Sequence, residues 1–516
     1  MHAWMLLVPI LFPVACAFLL MLPGPLQKPV VRRILLGTAF AIQAVAAVAL
    51  AMQPDMGFTL FYITDRLPVA FCLDNMARVF SVLSSAMFLA AGVFSFEYMK
   101  HEQEERRFYL FFLMVAGMLA GIAYAGNLMT LYLFFEATTL LSVPLVLHTL
   151  TKEAVAAAFK YLFYSIGGAS LALIGFFFVY AYGSTLAFTP GGVLDAEKLA
   201  GNETAMLAAT LAAIVGFGAK AGLFPLHAWL PAAHPVAPAP ASAVLSGVIT
   251  KAGVFAIVRF VFQLIGVDFI RGTFVQYAWL GLSLFTILMG SVLAYREPLL
   301  KTRLAYSSVS QVAYIQFGLA TLTTLGVLGG MLHMVFHSII KDALFLAAGA
   351  IIMKTGKTRV DELSGLGKQM PPMMWCFTLL GVALVGIPPA SGFVSKWNLA
   401  VGSLASGTGI VTWFGPVVLL ISALLTAGYL FPISIHGFFP GNKVGAGEPG
   451  NIDVNVGVSE PGSIKVNADA SEQGKIALKS SMLIPLVILT ALAFLLGIFP
   501  GGLIGLLSQL HLNIPG

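Results

Sequence analysis

The amino-acid sequence predicts an all-α polytopic membrane protein with about 14 transmembrane helices. Hydrophobic residues make up 59% of the 516 residues and charged residues only 10%, whereas soluble domains carry about 25% charged residues. Apolar runs of roughly 20 residues, the length that crosses a bilayer as a helix, recur along the chain. Basic residues also concentrate in alternate loops, as expected of a multi-pass protein. Most of the surface is therefore predicted to lie in lipid.

The predicted spans follow one another with mostly short connections. We interpret the first as a transmembrane helix rather than a signal peptide, because it lacks a basic N-terminal region and its apolar run can span a bilayer. In order, the spans cover residues 3–22, 34–53, 77–98, 107–125, 128–149, 155–182, 206–229, 241–263, 275–294, 304–321, 325–353, 373–399, 410–436 and 481–502.

The distribution of basic residues predicts the orientation. Eighteen Lys and Arg residues fall in the odd-numbered loops and at their helix ends, against four in the even-numbered loops. Because basic loops stay in the cytoplasm, both termini are predicted on the outer side of a prokaryotic inner membrane. The polar stretch 437–480 is then a cytoplasmic loop, since its Gly, Asn, Asp and Ser residues could not cross lipid.

The composition and motifs exclude several classes of function. The net charge of +6 follows from the loop cations, so nucleic acid is not an expected partner. Cys16, Cys72 and Cys376 stand singly, which disfavours structural zinc and iron–sulfur sites. No phosphate-binding glycine loop and no Ser/His/Asp or Cys/His nucleophile arrangement stands out. We expect no catalytic residue, no metal and no cofactor held by this chain.

Six cations and two acids lie inside the predicted spans, where a charge at the helix centre costs at least about 2.5 kcal/mol. By default such groups mark a path for protons or other cations. Snorkelling to the membrane surface is an alternative for Lys160 and Arg259, which lie near span ends. The eight residues are Lys160, Lys220, Lys251, Arg259, Lys341, Lys396, Glu136 and Asp342.

Two of the spans combine a lysine with prolines. Lys220 precedes Pro225 by just over one turn, and Lys396 follows Pro388 and Pro389. Proline breaks a helix, and lipid tolerates the break only where protein or cavity water satisfies the backbone. Two interrupted helices at corresponding places predict an inverted-repeat transporter with a site near the bilayer midplane.

Histidines form a third element of the pattern. His333, His337 and Lys341 recur every four residues and share one helix face. Histidine titrates near neutrality, which suits a proton relay; hydrogen-bonded packing is an alternative, and metal binding lacks an evident third ligand. His227 and His234 fall at the cytoplasmic mouth of the first broken helix, where either ion uptake or plain solvation explains them.

Six motifs follow one another through the middle of the chain, at residues 127–136, 216–231, 237–253, 304–311, 333–349 and 388–396. Together they resemble the family shared by the antiporter-like subunits of respiratory complex I, Mrp-type cation/proton antiporters and energy-converting membrane hydrogenases. The resemblance implies fourteen helices that contain two inverted five-helix repeats. The implied parts are helices 1–3 in residues 1–106, the repeats in 107–263 and 275–436, the polar loop in 437–480 and the last helix in 481–516.

The resemblance also implies roles for single residues. Glu136 resembles the glutamate of helix 5 that pairs with the lysine of helix 7, here Lys220. Lys251 is then the central cation of helix 8, and His337 with Lys341 forms the connecting groups of helix 11. Lys396 is the helix-12 group that exchanges protons with the outside.

Two positions, Ala232 and Asp342, depart from the family pattern, and a third distinguishes between its branches. Ala232 replaces an aspartate found in many relatives, and lysine at 396 argues against the complex I branch that has glutamate there. Asp342 adds a carboxylate beside Lys341, which either holds that lysine charged or faces a neighbouring subunit.

The resemblance implies a proton- or sodium-translocating subunit of a redox-driven complex, with other membrane subunits and the lipid bilayer as partners. The alternative is a subunit of a stand-alone multisubunit Na+/H+ antiporter. A membrane enzyme with its own redox cofactor is disfavoured, because haem, iron–sulfur and flavin motifs are missing from the sequence.

Overall fold

The computed structural model describes residues 2–24, 28–440 and 474–510, and helices dominate all three ranges. Within them, eleven helices are long and apolar enough to cross a membrane. Every predicted span overlaps a helix. Residues 441–473 of the predicted cytoplasmic loop and residues 511–516 of the predicted last part lie outside the described residues.

The first half of the chain begins with the 3-10 turn Ala3–Leu7. Its helices are α1 Val8–Leu19, α2 Pro29–Ala51, α3 Asn75–Tyr98, α4 Glu105–Ala123, α5 Leu128–Val146, α6 Lys152–Tyr182, α7 Ala196–Leu199, α8 Glu203–Ala221, α9 Leu230–Val236, α10 Ala239–Val244, α11 Thr250–Phe260 and α12 Val267–Ile270.

The second half contains longer helices and one further 3-10 turn, Val360–Leu363. Its helices are α13 Phe274–Arg296, α14 Leu300–Ala320, α15 Thr324–Thr355, α16 Leu366–Gln369, α17 Pro371–Val385, α18 Ser391–Leu404, α19 Ile410–Phe438, α20 Ser480–Ile498 and α21 Gly501–Ser508.

A β-hairpin corrects the all-α prediction. Strand β1 Met56–Thr64 pairs antiparallel with β2 Leu67–Leu73 between α2 and α3. The segment is rich in aromatic and β-branched residues, which favour strands, and it is too short to cross a bilayer as a helix. The hairpin is tied to the start of α5, where the amide of Ala70 donates to the Thr130 hydroxyl at 2.9 Å.

The first helix break lies between α8 and α9. Helix α8 ends at Ala221, and Gly222 then adopts a left-handed conformation with φ of 79°. Glycine takes that conformation without the steric cost that a side chain adds, and it commonly ends helices. Pro225 lies in the gap before Leu230, where the next helix starts.

The second break lies between α17 and α18 and has the same form. Gly386, with φ of 90°, follows the end of α17. Pro388 and Pro389 lie in the gap, and α18 starts at Ser391. The chain thus reverses the order of lysine and proline between the two breaks.

The two most enclosed helical stretches carry half of the eight intramembrane charges. The continuous helical run Ala239–Ile265 and α15 are buried over 100% and 94% of their most apolar stretches, whereas α19 is buried over only 28%. The run contains two π-helical turns, Leu245–Ile249 and Val261–Ile265, on either side of α11. Since π turns inside helices often occur at functional sites, the centre of the bundle is the place to look for one.

Candidate ion pathway

The buried amine of Lys220 lies against α5. It donates to the carbonyl oxygen of Phe135 at 2.8 Å and lies 3.9 Å from the centroid of the Phe135 ring. Glu136 is the next residue on α5, and its buried Oε1 has no hydrogen-bond partner among the described residues. The two charges act on each other, but no ion pair within 4.0 Å joins them. The hydrogen bond of Lys220 thus goes to a backbone carbonyl, and Glu136 acts on the amine through its charge.

Lys251 lies on α11, directly after the first π turn. The fully buried amine donates to the carbonyl oxygen of Ser246. The hydroxyl of Ser246 in turn lies 2.7 Å from that of Ser308 on α14. The π turn therefore brings a backbone oxygen to the amine and connects it to a second helix.

Asp342 faces Lys251 rather than Lys341. The carboxylate is completely buried, and neither oxygen has a hydrogen-bond partner within the described chain. It lies against Gly247, where a Cβ would come 3.0 Å from Oδ1, and it interacts electrostatically with Lys251. Both expectations for Asp342 are therefore corrected, because successive residues of a helix point in directions about 100° apart.

Lys341 is held by α14 instead. The amine donates to the carbonyl oxygen of Leu304 at 3.0 Å and to the hydroxyl of Ser307. It is completely buried. Its acceptors are neutral, like those of Lys220 and Lys251.

His333 and His337 stack along α15 with ring centroids 5.7 Å apart. The Nδ1 atom of His333 lies 2.9 Å from the Ser395 hydroxyl, and Nε2 lies 3.1 Å from the Gln311 side-chain oxygen. Neither nitrogen of His337 has a partner among the described residues, although the ring is completely buried. The part of the chain that the structure describes holds no cluster of three or more His, Cys, Asp or Glu suited to a metal ion.

Lys396 satisfies the end of the interrupted helix that precedes it. The amine donates to the carbonyl oxygens of Leu384 at 2.7 Å and Val385 at 2.9 Å. Carbonyls at a helix C-terminus lack intrahelical partners and attract positive charge. The amine also lies 5.1 Å from the centroid of the Tyr314 ring, which stacks on His333 at 5.4 Å. Tyr314 therefore connects Lys396 to the histidines.

The residues at the first break separate into two environments. Lys160 is exposed on α6 and acts electrostatically on the half-buried His227. His234, by contrast, is completely buried, with both nitrogens unpartnered among the described residues, and stacks on the Phe345 ring at 4.4 Å. Plain solvation therefore does not explain His234.

Arg259 has a structural partner that sequence reasoning did not identify. The completely buried guanidinium forms a two-point ion pair with Asp74, with Nη2 and Oδ1 2.9 Å apart. Asp74 also accepts from the amide of Ala77 at the start of α3. Burial raises the pKa of Asp74, but the charge and hydrogen bond of Arg259, the Ala77 amide and the Arg78 charge together hold that pKa below its usual range. The pair joins α3 to α11, so Arg259 is not a lipid anchor.

Lys301 is a second residue that sequence reasoning missed. Its place at the start of α14 suggests a loop cation, yet it is only 8% exposed and its amine donates to the Ala237 carbonyl at 2.8 Å. The sequence contained a signal for this inward orientation, because Lys301, Leu304 and Ser308 recur at helical spacing and share one face.

Comparison with known proteins places these residues in context. A family model described as NADH:quinone oxidoreductase/Mrp antiporter, transmembrane region, matches residues 125–426. The chain is 32% identical over 441 residues to an NADH-quinone oxidoreductase subunit of Desulforudis audaxviator, covering 84% of this chain and 86% of that protein. It is 32% identical over 381 residues to an Na(+)/H(+) antiporter subunit of Bacillus subtilis, covering 73% and 74%.

The fold is similar to that of a chain in the solved structure of the Mrp complex from Dietzia sp. DQ12-45-1b. The TM-score is 0.82 at 24% identity, with 99% of this chain and 97% of the other covered. This likeness concerns the fold and covers nearly the whole chain.

Proposed function

The chain belongs to the NADH:quinone oxidoreductase/Mrp antiporter transmembrane family, and we propose that it moves protons, or sodium ions, as the antiporter-like subunit of a redox-driven membrane complex. Other membrane subunits are its partners, since similar chains are named as subunits of multisubunit complexes. The reaction that drives transport belongs to those partners, because the sequence offers no redox motif of its own.

One observation carries the proposal. Four lysines line the interior of the bundle, three of them buried and Lys396 partly buried, and within the described residues each amine donates only to neutral oxygens of carbonyl or hydroxyl groups. A carboxylate partner would fix the charge of each amine, whereas neutral acceptors allow both protonation states. Such a set titrates together rather than singly. The four residues are Lys220, Lys251, Lys341 and Lys396.

We assign the order of the relay from the contacts. Glu136 and Lys220 form the first unit, and Lys251 with Asp342 forms the central one. The stacked histidines and Tyr314 then lead to Lys396 at the second break. The electrostatic influence of Lys251 on His337 supports the step between the central unit and the histidines.

The fold supports a finer architecture, which we also propose. Fourteen spans include two inverted repeats, residues 107–263 and 275–436, after the helices of 1–106 and before the loop 437–480 and the last helix in 481–516. The two helix breaks occur in the fourth predicted span of each repeat, which is the correspondence that inverted repeats require. We place both termini on the outer side of a prokaryotic inner membrane.

The alternative function is that of a subunit in a stand-alone Na+/H+ antiporter. The equal identity to an antiporter subunit and to a quinone oxidoreductase subunit favours it as much as the redox-driven complex. Purification of the native complex and identification of its subunits separates the two, because only a redox-driven complex contains electron-transfer subunits.

The test uses inverted membrane vesicles that contain the native complex. Lys220→Ala and Glu136→Ala should each abolish formation of the proton gradient, measured by quenching of a pH-sensitive dye, while native gels show the assembled complex. Lys160→Ala is the matched control, since this lysine is exposed and is not a member of the proposed relay. Normal gradient formation in either of the first two variants would disprove the assigned pair.

A further inference from the structure

A second group of buried charged and aromatic residues lies beside the relay, at the end of the bundle predicted to face the cytoplasm. Lys301 donates to the carbonyl oxygen of Ala237, which lies in the turn between α9 and α10. The Ser242 hydroxyl donates to the same carbonyl at 3.3 Å and to the carbonyl of His234 at 3.0 Å. The turn that follows His234 is therefore held by one amine and one hydroxyl.

The ring of His234 has a fixed place but no hydrogen-bond partner within the described chain. It is completely buried and lies nearly parallel to the Phe345 ring, at 18° and 4.4 Å. The same Phe345 ring has the amine of Lys341 6.0 Å from its centroid. His234 and Lys341 are therefore both close to the same aromatic ring.

Three lysines on other helices influence the His234 ring. Lys301, Lys341 and Lys251 each act on His234 electrostatically. Glu102 acts on Lys301 and on the Tyr98 hydroxyl at the end of α3. Pairs of interacting groups thus lead from Glu102 through Lys301 and His234 to Lys341.

We propose that Lys301 is a positioning residue for proton uptake, which holds the α9–α10 turn so that His234 can pass protons from the cytoplasmic end to Lys341. This inference rests on the proposed function. It adds a branch that joins the relay at Lys341, and it assigns a role to the unpartnered nitrogens of His234. Lys301 touches no relay member directly and acts through the backbone of Ala237.

The test measures dye quenching in inverted vesicles, whose outer buffer sets the pH at the cytoplasmic face. Lys301→Met should lower the rate on the order of 10²-fold, the lower end of the contribution of a positioned proton-transfer group. The loss should be greatest in alkaline buffer, where direct arrival of hydronium cannot replace His234. Lys301→Arg keeps a charged donor and should restore both the rate and its pH profile.

His234→Ala should behave like Lys301→Met, and the double variant should lose no more than either single one, because both act on one branch. A normal pH profile in Lys301→Met, or losses that multiply in the double variant, would overturn the inference. If Lys301→Met fails to assemble, Lys301→Leu, which also lacks a donor, carries the same expectation. Lys220→Ala in the same vesicles separates the two claims. Retained transport in Lys220→Ala contradicts the proposed function. Loss of transport in Lys220→Ala, together with a normal rate and pH profile in Lys301→Met, contradicts only the uptake branch.

Discussion

His333 and His337 stack on one face of α15 with their rings 20° from parallel, yet only His333 is hydrogen-bonded within the described chain. Ser395 and Gln311 contact its two nitrogens, which fixes the ring between α14 and α18. A buried polar group without a partner is costly. The cost at His337 is consistent with a ring that exchanges partners during transport.

His337→Ala should therefore slow gradient formation on the order of 10²-fold with little effect on assembly. The loss of the ring removes the step that the proposed order places between Lys251 and His333. The measurement is dye quenching in inverted vesicles. Ser338→Ala is the control, because that hydroxyl donates only to the Met334 carbonyl of its own helix. An unchanged rate in His337→Ala would favour the packing role.

Asp74→Ala should destabilise the protein, because it leaves the guanidinium of Arg259 buried without a counter-charge. Removal of one partner of a buried ion pair costs roughly 3–5 kcal/mol, and the 31% exposure of the Asp74 side chain places the loss near the lower figure. The measurement is the melting temperature of the purified complex in detergent. Asp195→Ala is the control, since that carboxylate contacts only its own exposed turn. An equal effect of the two variants would contradict the structural role of the pair.

The same pair predicts a pH dependence of stability. The pKa of Asp74 is lower in the folded protein than its usual value of about 3.9. Its contribution is therefore complete above that usual value and is lost as the pH falls through the lowered pKa. The difference in melting temperature between the wild type and Asp74→Ala should shrink in acid and stay constant near neutrality. A difference in melting temperature that grows as the pH falls would contradict a lowered pKa of Asp74.

Gly386→Ala should impair both stability and transport. A non-glycine residue at φ of 90° costs roughly 1–3 kcal/mol, and the new Cβ would lie 3.0 Å from Cδ of Lys396. The added methyl group therefore displaces the side chain of Lys396 and with it the amine. Melting temperature and dye quenching measure the two effects. Gly381→Ala on the same helix, where the nearest atom is 3.8 Å from the new Cβ, should be nearly neutral.

A cysteine at Ser463, in a variant without the three native cysteines, should react with an impermeant thiol reagent only from the cytoplasmic side. The basic loops on that side give the reason. Asn202→Cys in the same background is the control for the opposite face, and it should react only from outside. Labelling of Ser463→Cys from the outside would overturn the orientation.

Much of this architecture could be predicted from the sequence. Span length located the helices, and the prolines near Lys220 and Lys396 located both interruptions. These signals are local: a run of apolar residues or a proline acts on its own stretch of backbone. The hairpin of β1 and β2 was missed because one short strand pair gives a weak signal beside long helices.

The partners of the charges could not be predicted, because they depend on tertiary contacts. Lys220 was expected to pair with Glu136; the two charges act on each other, but the amine donates to the carbonyl of Phe135. Lys301 was assigned to a loop and turns inward to Ala237. A long side chain can reach in several directions, so its position along the chain does not identify its acceptor.

Helix α14 has a consequence for how the protein is made. It crosses the bundle core, yet it is not among the helices apolar enough to be recognised as a span by composition alone. Its buried face presents hydroxyl and amide side chains, including those of Ser308, Ser310 and Gln311. Exposed to acyl chains on its own, this segment would leave those groups unpaired. During biogenesis α14 should therefore remain with the insertion machinery until α13 and α15 can enclose it, and the three helices should integrate as one unit.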